Sequence, residues 1–249
     1  ADCEGNVYSV GDKNKEIAIE SISKLFTFSL AVKKYGSKTL INKIGSYGSF
    51  MSFNSIVSTE LSKNNTVNPF VNQGAIATTS LFYTKNKNTF QKTILENLNV
   101  YANRNLRLGK RVYHSEKTHN YKNMAQAYLL KSHDRFYGNV PDSVDVYTAQ
   151  CSVMVSSKDL ATMGSVFASG GIHPQTKKRI LSVDAVTFIL RNLRSEGLYE
   201  YSSTWMTQSG AAAKSGVGGG IVAIFPGIGA IGVVSPRLDE AGNSVRGIK

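Results

Sequence analysis

The sequence predicts a mixed α/β (α+β) chain, with an antiparallel sheet drawn from both ends and a helical region inserted between them. Three observations carry this expectation. Alternating or β-branched runs stand near both termini, "NVYSVGD" at residues 6–12, and "GGGIVAIFPG" with "GAIGVVSP" across 218–236. From about residue 38 to 195 the apolar spacing is mostly helical. Just before that region stands the most apolar helix of the sequence. No repeat and no long linker interrupts the chain, so one domain over 1–249 is expected. Its sheet part covers about 1–20 and 200–249, and its helical lobe about 38–195.

Taken in order, "NVYSVGD" reads as a short strand entering a Gly-Asp turn. Ser21 to Tyr35 follows as a helix that is apolar on most faces, through Ile22, Leu25, Phe26, Phe28, Leu30, Ala31 and Val32. Lys33 and Lys34 occupy its last turn and Gly36 stops it. The helical middle is broken at "NNTVNP", "GNVPDS" and "SGGIHPQTKK", which read as turns rich in Asn, Gly and Pro. Two β-branched runs around Pro226-Gly227 read as a hairpin, with Lys214-Ser215-Gly216 opening its first strand.

Composition excludes several function classes. Hydrophobic content of 41% and charged content of 18% describe a globular chain. The longest apolar stretch, 218–234, is too interrupted to span a bilayer, and no secretory leader is visible, so a cytoplasmic protein without a membrane partner is expected. Cys3 and Cys151 make neither a disulfide framework nor a metal motif, and the four histidines form no chelating pair, so no metal is expected. Cys151, in "YTAQCSVMV", reads as a packed thiol.

Half of the net charge of +12 lies between Tyr101 and Arg135, where Arg104, Arg107, Lys110, Arg111, Lys117, Lys122, Lys131 and Arg135 face only Glu116 and Asp134. That segment reads as a solvated helical face. No nucleic-acid motif accompanies it, and no nucleic-acid partner is expected.

The residues that suggest chemistry are in "IESISKLF". Ser21 and Lys24 lie three apart and so share a helix face. A serine hydroxyl needs a base to become a nucleophile, and a buried lysine can be that base once its ammonium form is disfavoured. A serine at a helix start also has a free backbone N–H and a favourable dipole for developing negative charge. Equally, Ser21 could be only a helix cap. Ser21-x-x-Lys24 is the one Ser-x-x-Lys in the chain, and Lys214-Ser215-Gly216 lies near the other end. Penicillin-recognising serine enzymes combine such a helix with a Lys-Ser/Thr-Gly strand that supplies further oxyanion donors.

Over nearly its whole length the sequence resembles the serine-dependent glutaminases of the β-lactamase/DD-peptidase-like fold. The matching pieces are "ESISKLFT", "NPFVNQGAI", "SEKTHNYKNMA", "VYTAQCSV", "DLATMGSVFASGGIHP", "GLYE", "KSGVGGGIVAIFPG" and "SPRLDEAGNSVRG", in that order. The resemblance implies an amidohydrolase that converts L-glutamine to L-glutamate and ammonia through a γ-glutamyl-serine intermediate, without a cofactor. It implies Ser21 as nucleophile, Lys24 as base and Tyr147 as proton relay. Asn72, Glu116, Asn123 and Tyr199 would bind the substrate, and the backbone N–H groups of Ser21 and Val217 would hold the oxyanion. Homo-oligomers, tetrameric or dimeric, are implied as well.

Three positions depart from the family pattern. Gln73 stands where a small residue is usual and is expected to crowd the pocket or turn Asn72. Glu20 replaces a glutamine and is expected to weaken Lys24 as a base if it lies nearby. Ala212 replaces a proline. Family members also carry a helix and strand before "NVYSVGD" and a segment after "GNSVRG", which is expected to leave a sheet edge less covered here. Two other readings stay open. A DD-peptidase or β-lactamase would need an asparagine two residues after Tyr147, where Ala149 stands. A non-catalytic basic binding protein would keep its function without Ser21.

Overall fold

In the computed structural model, which describes residues 1–46, 48 and 51–249, the expected helix is the centre of the molecule. A 3-10 turn at Glu20–Ile22 leads into α1, Ser23–Tyr35. Ile22, Leu25, Phe26, Phe28, Ala31 and Val32 are all buried, so this helix has scarcely any solvent face. Lys33 and Lys34 in the last turn complement the helix dipole. Gly36, at φ 75°, takes a positive-φ extended backbone that glycine permits, and this ends the helix.

Around α1 are α2 (Ser37–Lys43), α3 (Val57–Leu61), α4 (Asn72–Ser80), α5 (Lys87–Ala102), α6 (Lys110–Thr118), α7 (Tyr121–Ser132) and α8 (Val140–Cys151). The helical series closes with α9 (Ser157–Ala168), α10 (Val183–Glu196) and α11 (Ser202–Ser209). Aromatic packing joins several of them: Phe26 meets Tyr101 of α5 edge-on at 5.0 Å and Phe167 of α9 at 5.9 Å. The "GNVPDS" interruption is a helix start. Asn139 caps α8 by accepting from Asp142 N at 3.0 Å, and Pro141 sits in the first turn where no N–H is missed.

The strands are β1 (Ile17–Ala18) paired with β2 (Met154–Val155), and a separate sheet of β3 (Ala212–Gly216), β4 (Gly220–Phe225) and β5 (Gly229–Val234). Both sheets are antiparallel. Pro226-Gly227 makes the β4–β5 turn as expected, while Lys214-Ser215-Gly216 proves to lie on its own strand ahead of that hairpin. In β4, Val222 and Ile224 face the main core with α9, and Ile221 and Ala223 face a second cluster with Leu198 and Trp205. The central strand β4 is therefore buried on both sides, while β5 leaves Ile231 exposed.

The N-terminal share of the sheet is smaller than expected. Ala1 exchanges both backbone hydrogen bonds with Ala230 of β5, at 2.8 Å each, and Asp2 bridges Gly229. "NVYSVGD" forms no strand: Tyr8 and Val10 are exposed and no neighbouring strand pairs with them. Its alternation faced solvent instead of a sheet, and only the Gly11-Asp12 turn came out as read.

Candidate active site

Ser21 sits in the 3-10 turn just before α1, and Ile22 takes the capping position with no side-chain hydrogen bond. The serine is thus not spent as a helix cap. Its side chain is buried and lies near the Tyr199 phenol, whose oxygen makes no hydrogen bond among the described residues. Lys24, one turn on, is 1% exposed. Its Nζ donates to Asn72 Oδ1 at 2.7 Å and to the Phe70 carbonyl at 3.2 Å.

Asn72 is the hub that joins the predicted residues. At the start of α4 it accepts from Lys24, accepts from Tyr147 OH at 3.4 Å, and donates through Nδ2 to Asn123 Oδ1 at 3.2 Å. Three separate helices, α4, α7 and α8, therefore converge on α1 through one carboxamide. Tyr199, held at φ 56° in a 3-10 turn at Tyr199–Tyr201, covers Lys24 from the other side with its ring 5.8 Å from Nζ. Phe53, which the sequence did not mark, stacks on Tyr199 at 4.6 Å and lies 5.9 Å from the same amine.

Burial sets the electrostatics. It lowers the Lys24 ammonium to about 7, although Cys151 and Glu20 both act to raise it. Glu20 is therefore close enough to oppose the base, as expected, yet desolvation wins. Glu20 itself is pushed up to about 8, first by burial and then by the charge of Glu116, against the pull of Lys24. Burial also raises the Tyr147 and Tyr199 phenols, so both stay protonated near neutral pH and each keeps an O–H to donate. The Cys151 thiol is pushed up to about 12 by burial, which fits a packed, unreactive cysteine.

Lys214 of β3 is fully buried, its Nζ donating to the carbonyls of Gly197 and Ser215 at 2.9 Å each and lying 4.1 Å from the Tyr199 ring centre. Burial and then repulsion from Lys24 push its ammonium well below the usual lysine range. The end of β3 packs onto the serine turn. A Cβ placed on Gly216 would stand 2.7 Å from the Ile19 carbonyl oxygen, and one on Gly218 2.4 Å from that of Ala18. Only glycine permits this approach, and it brings the backbone of Val217 beside the turn that carries Ser21. Val217's side chain is exposed, consistent with a residue that contributes its N–H. Glu116 is exposed on α6 and reaches the site through its field at Glu20.

Gln73 does not crowd the pocket. It is buried on the far side of the α4 turn, and its amide donates to Ser55 O and Ser58 Oγ, so Asn72 keeps its orientation. Ala212 simply begins β3 opposite Ile224. Among the described residues, three of the basic segment's eight cations are paired: Arg104 makes a two-pronged contact with Asp159 at 2.7 Å, Arg107 meets Glu16, and Lys117 meets Asp145 at 2.9 Å. Among the described residues no group of His, Cys, Asp and Glu could hold a metal ion.

A family model for glutaminases matches residues 1–249. The chain belongs to the glutaminase family. A glutaminase of Colwellia psychrerythraea is 48% identical over 245 residues, 98% of this chain and 79% of that protein. Glutaminase 1 of Escherichia coli K12 is 44% identical over 247 residues, 99% of this chain and 80% of its own. A solved structure of a probable glutaminase superposes on this glutaminase with a TM-score of 0.96 at 43% identity, covering 99% of this chain and 80% of the other. A Bacillus glutaminase structure gives 0.94 at 27% identity over 98% and 84%. The β-lactamase-like architecture expected from the sequence is therefore this glutaminase's fold, and the non-catalytic reading falls away.

Proposed function

We propose that this glutaminase hydrolyses the side-chain amide of L-glutamine with Ser21 as nucleophile and Lys24 as its base. The observation that carries the assignment is the buried amine of Lys24, lowered to about 7 and held by two acceptors. A neutral amine has two N–H bonds and one lone pair. With Asn72 and Phe70 taking the N–H bonds, the lone pair remains to accept the Ser21 proton.

Ser21 Oγ attacks the amide carbon and its proton passes to Lys24. The tetrahedral oxyanion is held by the backbone N–H groups of Ser21 and Val217. Collapse breaks the C–N bond, with the proton delivered to the leaving nitrogen from Lys24 by way of the Tyr147 phenol, and ammonia departs. Water then attacks the γ-glutamyl ester with Lys24 again as base, releasing glutamate and restoring Ser21. Glu116 supplies the anion for the α-ammonium. Asn72, Asn123 and Tyr199 supply polar groups for the rest of the amino acid.

The assignment is tested by ammonia release from glutamine beside Ser21→Ala and Lys24→Ala. Folded variants that retain more than a few per cent of the parent rate would sink it.

Three further parts of the reading belong here. A main core running from Ile19 to Ala230 supports a single domain, which would unfold in one transition. Family membership supports a homo-oligomer, tetramer or dimer, measurable by light scattering. Two free thiols, Cys3 and Cys151, support a cytoplasmic location, to be checked by fractionation of the native source. Among the described residues no helix is long and apolar enough to cross a membrane.

A further inference from the structure

We infer that Gln73 is a positioning residue of the active site, clamping the segment 53–58 across Lys24 so that the base stays out of water. The inference rests on the reading of Lys24 as base.

Three successive carbonyls of that segment accept hydrogen bonds from the helical lobe. Phe53 O takes Asn72 N at 2.9 Å, Asn54 O takes Gln126 Nε2 at 2.9 Å, and Ser55 O takes Gln73 Nε2. The Gln73 amide also donates to Ser58 Oγ at 2.9 Å, the second residue of α3. Gln73 and Gln126 are 1% and 0% exposed. Burying a carboxamide is costly, and each of these glutamines leaves its Oε1 without a partner among the described residues while its Nε2 is spent on the loop, so the donor bonds to the segment are what the burial serves.

The result of the clamp is the placement of Phe53. Its ring and that of Tyr199 make a stacked roof, each about equally far from Lys24 Nζ. Asn72 and Gln73 are adjacent in the first turn of α4, so one turn of helix sets both the acceptor of the amine and the roof above it. The charged and titratable groups facing Lys24 come from elsewhere: Glu20 from its own turn, Tyr147 and Cys151 from α8, Tyr199 from its 3-10 turn, and Lys214 from β3. Loosening the clamp changes the hydration of Lys24 while those groups keep their anchors.

The test uses Gln73→Met, which fills the volume without the donor, and Gln73→Ala. Hydrogen exchange across 53–58 is expected to quicken by about tenfold or more while α5 is unchanged. With glutamine, the acid limb of kcat/KM is expected to move up by roughly half a pH unit or more, with kcat falling more than KM rises. Ser55 O keeps the Ser58 Oγ bond in both variants, at 2.8 Å in the parent, which favours folding. Unchanged exchange overturns the clamp, and faster exchange with an unmoved acid limb overturns its link to Lys24. If neither variant folds, Gln126→Met loosens the same segment at Asn54 O and must give the same two readouts. Failure of the base assignment itself would appear separately, as activity retained by Lys24→Ala.

Discussion

Gly216→Ala puts a wedge between the two backbone donors proposed for the oxyanion. Gly216 has no positive φ, so alanine meets no backbone strain of its own and the effect is one of contact. The added Cβ would stand 2.7 Å from Ile19 O and 3.2 Å from the Glu20 Cβ. A comfortable C···O separation is about 3.3 Å, so β3 and the serine turn must part by about 0.6 Å. Oxyanion donors act at about 2.7–3.1 Å, and a displacement of that size carries Val217 N–H past useful range. Losing one such donor costs about 100- to 1,000-fold in kcat, or about 2.7–4 kcal/mol, with far less effect on KM. Overpacking adds a stability loss of about 1–3 kcal/mol, which circular dichroism and thermal melting would register. Steady-state ammonia release at saturating glutamine is the assay. A folded Gly216→Ala protein with kcat within about threefold of the parent would refute the oxyanion geometry.

Other outcomes follow from the buried charges. Because the free amine is the active form and Lys24 is lowered to about 7, kcat/KM should fall about tenfold per unit below that pH, in a pH–rate profile. Lys24 also binds fewer protons folded than unfolded between about 7 and 10.5, so its contribution to stability rises with pH across that window. Urea titrations of Lys24→Met should lack that component, about 1.4 kcal/mol per pH unit, while activity is lost. Burial alone would raise Asp159, yet Arg104 and the Ser156 cap hold its carboxyl below the usual range. The stability this gives is present above about pH 4 and lost as pH falls through the lower folded value. Arg104→Ala should cost about 1–3 kcal/mol at pH 7, discounted because the arginine is partly exposed, and should shrink that acid loss in denaturant titrations at pH 7 and pH 3.

What the sequence made legible was whatever local pattern encodes. Helix α1 was readable because its apolar residues, basic last turn and terminal glycine all agree, and the β4–β5 hairpin because a Pro-Gly turn divides two β-branched runs. β3 was not separable from that hairpin, since Ala212-Ala213 has no strand signature and pairs only because β4 lies beside it. "NVYSVGD" failed for the opposite reason: a local alternation had no partner strand. In the site, Ser21 and Lys24 were found by spacing, and Asn72, Tyr147 and Tyr199 by family likeness. That Asn72 is shared by Lys24 and Tyr147, and that Phe53 roofs the amine, depends on contacts between distant segments and leaves no trace in either segment alone. Gln73 was visible as a departure, but its direction was set by where the α4 turn faces.

The close approach of the glycine strand to the serine turn also has a consequence for how the enzyme comes into being. Ser21 and Lys24 leave the ribosome roughly 200 residues ahead of Val217 and Lys214. At about 5–20 residues per second, the two halves of the centre are separated by on the order of 10–40 s of synthesis. Throughout that interval the most apolar helix of the chain lacks the strands that complete its surroundings. Lys24 stays wet and charged, and the proposed centre is incomplete. Premature termination before β3 would therefore yield an inactive, aggregation-prone fragment, and activity itself reports that translation reached the far end of the sheet.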